Sequence, residues 1–293
     1  MRIHTFLPGL AMLAIAAAAA AAAAPPVGPP RAVLTLAEQP LRLIRGAAVF
    51  KAPAGVALQK DDILETGAGG AQLEAGADAI VALGPQTRVL VDLAPDARAP
   101  LELNLLQGWA KVQAKGRRAV VTAPGLQVTM ASGATIVKAA GAGGDQDAVF
   151  AEEGEQAAAL IDARGRAGAP LKLGAEQYAQ ADAGKPLPVA GRPPRAFVAA
   201  LPPAFRDRLV PVPLRALPHA GKALPVRERD ADFADVDAWL QSPLPARRRF
   251  VARFGPRLAE PAFRRDLERA LGQSADWKPV LYPARPSPGG VLF

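Results

Sequence analysis

The chain has 293 residues, a net charge of +8 and no cysteine, and aromatic residues make up 5% of it. The lack of cysteine excludes disulfide staples and thiolate chemistry, so the fold must stand on packing alone. Half of the residues are apolar, yet many of these are alanine, which predicts a core of small side chains.

Residues 1–24 read as a secretory signal peptide. Arg2 supplies the charged start, no residue from Leu7 to Ala24 is charged, and the run ends in alanine. The expected location is therefore periplasmic or secreted. Every later apolar stretch is interrupted by charges or prolines, so no transmembrane segment is expected after signal cleavage. Residues 25–40, rich in Pro and Ala, read as a leader of the mature chain.

From Leu41 to about residue 182 short apolar runs follow one another, separated by Gly, Pro or Asp. Val89, Val91 and Leu93 alternate with Arg88 and Asp92, and Leu101, Leu103 and Leu105 alternate with Glu102 and Asn104. Period two with turn residues between the runs predicts half-buried strands, hence a mainly β domain, a many-stranded sandwich or β-roll. The runs Leu101–Leu106, Trp109–Gln113 and Arg118–Ala123 read as separate strands, as do Leu126–Met130 and Ala134–Ala139.

Prolines recur across residues 183–229, which forbids long helices and regular strand interiors. That span reads as an extended connector, packed on the β-domain through Phe197, Phe205 and Leu209. Helical spacing appears only in residues 230–293. Asp230 or Asp232 can cap a helix carrying Val236 and Trp239. Phe250, Phe254 and Leu258 mark a second helix that Gly255-Pro256 should break. Glu260-Pro261 opens a third, in which Arg264 can pair with Glu268.

Charge is uneven. Residues 25–190 hold 16 Lys and Arg against 17 Asp and Glu, whereas residues 191–293 hold 18 against 10. The candidate interaction surface is the basic helical tail, with Arg247, Arg248, Arg249, Arg253, Arg257, Arg264, Arg265 and Arg269. Guanidinium groups suit forked contacts with carboxylate or phosphate. Its partner would be an envelope protein or an anionic polymer. No nucleic acid is expected for an exported chain, and the oligomeric state is open.

Catalytic residue types are sparse. His219 lies in the proline-rich connector, no serine sits in a nucleophile elbow, and neighbouring carboxylates such as Asp61-Asp62 point to opposite faces of a strand. One mature histidine and no cysteine offer no metal-ligand spacing. The expectation is a non-enzymatic protein with no cofactor and no metal.

The β-region resembles the FecR-type periplasmic domain. Gly46-Ala-Ala-Val49, then Leu58 and Asp61-Asp62-Ile63-Leu64-Glu65-Thr66-Gly67, are similar to that family's opening segment, though the family usually has Gly where Asp61 stands. Ala79-Ile80-Val81-Ala82-Leu83-Gly84-Pro85, Leu105-Leu106-Gln107-Gly108, Val121-Thr122-Ala123-Pro124 and Phe150-Ala-Glu-Glu-Gly154 are similar to its later motifs in order and spacing. The tail, with Asp235-Val236-Asp237-Ala238-Trp239-Leu240, Pro261-Ala262-Phe263-Arg264 and Trp277, resembles the ends of free-standing exported members. The resemblance implies such a member, lacking the transmembrane helix and cytoplasmic sigma-regulator segment of the sensors. The resemblance implies no activity; the expected function, read from the chain as a whole, is binding of a partner protein or anionic envelope component, in signalling or envelope maintenance. The rival expectation is a structural scaffold associated with cell-wall glycan.

Overall fold

A computed structural model describes residues 30–283 except 95, 97, 98, 142–145, 163, 183, 184, 214–216 and 218. The expected signal peptide, residues 1–24, lies outside the described residues. The class is mainly β, as the period-two runs predict. Seven short strands come first: β1 (Val33–Ala37), β2 (Leu41–Arg45), β3 (Ala48–Ala52), β4 (Asp62–Glu65), β5 (Ala71–Ala75), β6 (Ala79–Leu83) and β7 (Arg88–Leu93). Two long strands follow, β8 (Leu101–Thr122) and β9 (Leu126–Ala140). Then come β10 (Ala148–Glu153), β11 (Gln156–Leu160), β12 (Leu171–Leu173), β13 (Gln177–Gln180), β14 (Val189–Ala190) and, after a gap, β15 (Val226–Asp230). Helices α1 (Arg195–Ala200), α2 (Phe233–Leu240), α3 (Arg247–Phe254), α4 (Pro261–Leu271) and α5 (Lys278–Leu281) occupy the last third.

Three features differ from the sequence reading. β1 lies inside the span read as a leader and pairs antiparallel with β5. The runs read as five separate strands form only two, β8 and β9. The glycines between them do not turn the chain back; they bend a continuous strand. Gly108, Gly116 and Gly133 all have positive φ, at 88°, 88° and 100°. Finally, β15 closes the edge of β3, so the connector ends as part of the sheet.

Those bends set the architecture. β8 pairs with β7 through Leu101–Gln107 and with β6 through Ala110–Ala114, while β9 runs along its other side. β9 in turn pairs with β11 near its start and β10 further on. The two long strands thus belong to both halves of a rolled antiparallel sheet. Its main order is β14-β13-β10-β9-β8-β7-β4-β2-β3-β15. Inward side chains from both halves, among them Leu34, Leu43, Leu64, Leu73, Val89, Leu103, Val121 and Val128, form one buried core.

Gly133 is where glycine is needed most. A Cβ there would sit 2.0 Å from the Glu153 carbonyl oxygen, on a backbone that L residues rarely adopt. Gly133→Ala is expected to cost ~3 kcal/mol, because only backbone movement can relieve the clash. Urea unfolding checks this; a midpoint equal to wild type would contradict it.

Both outer faces of the roll are also covered. Ile44, Val49, Ile63 and Leu90 point away from the central core and pack against Val236, Trp239, Phe250, Phe254, Phe263, Leu267 and Trp277 of the helical tail. On the other outer face Ile80, Ala82, Ile136 and Tyr178 pack against Phe197, Phe205 and Leu209, as the sequence reading expected of the connector. Strand β7 therefore carries three successive buried residues, Val89, Leu90 and Val91. A strand covered on both faces loses its alternation.

The tail helices begin and end where local chemistry dictates. Asp232 caps α2, and its backbone N–H donates to the Asp235 carboxylate at 2.7 Å. At Gly255-Pro256 α3 gives way to a 3-10 turn, Gly255–Ala259. Pro261 takes the first position of α4, where its missing N–H removes no helical bond.

Candidate functional site

The arginines of the basic tail divide into two groups. Arg253 points inward from α3. Its guanidinium donates to the carbonyls of Gly46 at 2.6 Å, Asp61 at 2.6 Å and Ile44 at 2.7 Å. It lies over the rings of Phe254 and Phe250, at 5.0 and 5.8 Å from their centroids. Burial pulls its pKa down to about 10, with Asp62 and Asp61 opposing that shift. One turn earlier, Arg249 forms ion pairs with Asp61 at 2.8 Å and Asp92 at 2.6 Å.

The acceptor they share, Asp61, sits in a tight bend before β4. Asp61 has φ +65°, the left-handed region that Asp tolerates better than most side chains. Glycine would adopt this conformation without strain. Asp62 is fully buried and takes a forked contact from Arg45, at 2.9 and 2.6 Å, and the Gln59 N–H at 2.8 Å. Burial pushes its carboxyl up, and Arg45 pulls it back. The two aspartates do face different partners, but the left-handed bend at Asp61, rather than the alternation of a strand, separates them.

Other members of the candidate surface are also bound within the chain. Arg247 pairs with Asp276 at 3.1 Å, and Arg257 donates to the Ala231 carbonyl at 3.1 Å. Arg264 pairs with Glu268 at 2.9 Å, as its spacing predicts, and Arg269 with Asp266 at 3.2 Å. Only Arg248 and Arg265, both exposed, have no side-chain partner among the described residues. The structure does not gather the eight arginines into one face. Arg249 and Arg253 fasten α3 to the β-roll.

A second set of cations was missed by reading the sequence in large blocks. Residues 230–293 hold ten Lys and Arg against eight Asp and Glu, a balance of only +2. Residues 191–229 hold eight against two, so most of the excess lies in the connector. Arg192, Arg195, Arg206 and Arg208 are exposed there, with no side-chain partner among the described residues. A finer charge count would have found them.

The connector is held in place by Lys111. This side chain is fully buried on the outer face of β8. Its ammonium donates to the carbonyls of Phe205 at 2.9 Å and Asp207 at 2.8 Å, and pairs with Glu152 at 2.6 Å. Phe205 and Leu209 are thereby pressed into the apolar patch beneath, while Arg206 and Arg208 face water.

Beside this segment, α1 and the outer face of the roll leave an open groove of about 180 Å³, lined by Lys138, Ala148, Tyr178, Gln180 and Phe197 among others. Trp109, half-buried, lies next to it, 5.1 Å from Phe197 ring to ring.

No family model and no curated protein matches the chain. Among solved structures it is similar to two crystal structures of a "putative anti-sigma factor" from Parabacteroides distasonis ATCC 8503, at 2.50 and 1.65 Å resolution. Identity is 14% and 13%, and the TM-score is 0.37 for both. The match covers 47% of this chain and 62% or 63% of theirs, less than two thirds of their length. A likeness of that size assigns no residue here a role. Among the described residues no helix is long and apolar enough to cross a membrane, and no group of three or more His, Cys, Asp or Glu could hold a metal ion.

Proposed function

We propose that the protein is an exported, non-enzymatic envelope protein that binds an acidic partner, a protein surface or an anionic envelope polymer. The contact would lie on the connector-covered face rather than on the helical tail. The observation that supports this is the split among the cations. The tail arginines are largely spent on internal acceptors, whereas Arg192, Arg195, Arg206 and Arg208 stand in water on a segment anchored from below. On a fixed backbone, guanidinium groups that meet a carboxylate or phosphate give up side-chain freedom only, and not that of the segment carrying them. A role in signalling or envelope maintenance fits such a binding protein.

The test compares capture from envelope extract by wild type, a variant with Arg192, Arg195, Arg206 and Arg208 changed to serine, and one with Arg248 and Arg265 changed to serine. The connector variant should lose most of the capture and the tail variant keep it. Raising salt to about 0.5 M should weaken wild-type capture, because exposed charges are screened. Equal capture by all three proteins would overturn the reading. Capture of sedimenting wall alone would favour the scaffold role over a protein partner.

A further inference from the structure

The connector crosses the outer face of the roll as a strap. Phe197 lies against Tyr178 of β13, 5.0 Å between centroids, and the carbonyls of Phe205 and Asp207 meet Lys111 of β8. Further on, the Val210 carbonyl accepts from Gln72 of β5 at 3.1 Å, and the Val212 N–H donates to Glu74 of the same strand at 2.7 Å. Strands pair from β13 through β10, β9, β8 and β6 to β5. At roughly 4.8 Å per step the strap therefore spans ~24 Å of sheet.

Its inner side chains, Phe197, Phe205 and Leu209, are fixed against the sheet, which leaves the residues between them facing water. Arg206 and Arg208 flank Val210, which is 71% exposed, and in α1 Arg195 is followed by Val198 at 46%. Leu36, 43% exposed, pairs with Gln72 across β1 and β5 and so adds a third aliphatic side chain near Val210. Residues 191–213 carry four arginines and a single acid, the exposed Asp207, so the strap is positive.

This mixture selects a partner. A soluble polyanion would meet the guanidinium groups and leave the aliphatic side chains in water. Aromatic side chains, the usual anchors of protein hot spots, are turned inward here as Phe197 and Phe205. Aliphatic groups set among arginines suit a bilayer surface, where lipid phosphates take the cations and the acyl boundary takes the valines.

We infer that the strap is a docking surface for an anionic phospholipid bilayer, with Arg192, Arg195, Arg206 and Arg208 on the headgroup phosphates and Val198, Val210 and Leu36 entering the acyl boundary. The inference rests on the binding role proposed above and names lipid as the anionic partner.

The test floats the full chain with vesicles of phosphatidylcholine alone, or of phosphatidylcholine and phosphatidylglycerol in equal parts. Wild type should float with the mixed vesicles and not with the neutral ones. Changing Arg192, Arg195, Arg206 and Arg208 to serine should weaken flotation by at least about a hundredfold. Val198→Ser combined with Val210→Ser should weaken it about tenfold and leave binding to soluble polyglutamate unchanged. No flotation of wild type, equal flotation with both vesicle types, or a valine variant that floats like wild type overturns the inference. Polyglutamate that displaces wild type from mixed vesicles at equal charge concentration overturns the lipid occupant in favour of an acidic peptide. If flotation fails while envelope capture still depends on the four arginines, only this inference falls; if capture is independent of them as well, the binding role proposed above falls with it.

Discussion

Arg253→Ala is expected to destabilise the protein by ~3–5 kcal/mol. The substitution strips a donor from three backbone carbonyls, those of Ile44, Gly46 and Asp61. It also removes a cation from beside the buried Asp62 and the rings of Phe250 and Phe254. None of these groups has another cation poised to replace it from α3, because Arg249 is engaged with Asp61 and Asp92. Arg253→Lys should restore only a part, since a single ammonium cannot span three acceptors arranged around a planar fork. Urea unfolding of the three proteins decides the matter. An alanine variant within about 1 kcal/mol of wild type would show that apolar packing alone holds the tail.

Lys111→Met should act on the opposite face and more locally. Methionine fills a similar volume, so the cavity cost is small, but Glu152 and the carbonyls of Phe205 and Asp207 lose their shared donor. The expected loss is ~2–4 kcal/mol, with the segment from Phe205 to Leu209 loosened first. Trypsin gives a direct readout, because Arg206 and Arg208 are cleavage sites within that segment. Cleavage there should quicken by at least about tenfold relative to wild type, well below the temperature at which the roll unfolds. An unchanged cleavage rate would mean that Phe205 and Leu209 anchor the segment without the lysine.

The elements that the sequence disclosed most clearly are those with local causes. A cap at Asp230 or Asp232, of which Asp232 serves, Gly255-Pro256 as a break, Pro261 at a first turn and the Arg264–Glu268 pair all act within a few residues. The mainly β class was equally visible, because period two is a local pattern. β1 was not, because its partner β5 lies far along the chain and prolines precede it. The long strands were hidden by their glycines, since a bend at positive φ and a turn are written with the same residue. The direction of each arginine was hidden for a different reason. Arg253 ends on backbone carbonyls, which every residue has and which leave no mark in a sequence. The burial of Lys111 was hidden in a similar way: it falls on the outward face of β8, and nothing local says that the connector will later cover that face.

The double coating of the roll has a consequence for the order in which the protein is made. All strands from β1 to β14 leave the ribosome before the segments that cover them, and those segments lie between residues 195 and 281. Until they arrive the faces of a roll are bare, the one with Ile80, Ile136 and Tyr178 until Phe197, Phe205 and Leu209 are made, and the one with Ile44, Ile63 and Leu90 until the tail helices follow. The edge of β3 is also open until β15 is made. Long-range strand pairing is slow, and exposed faces and edges of this kind invite aggregation. A chain released early, or clipped within the connector, would therefore be a sticky fragment rather than a smaller working protein, and holdase chaperones would find their target in its unclothed sheet.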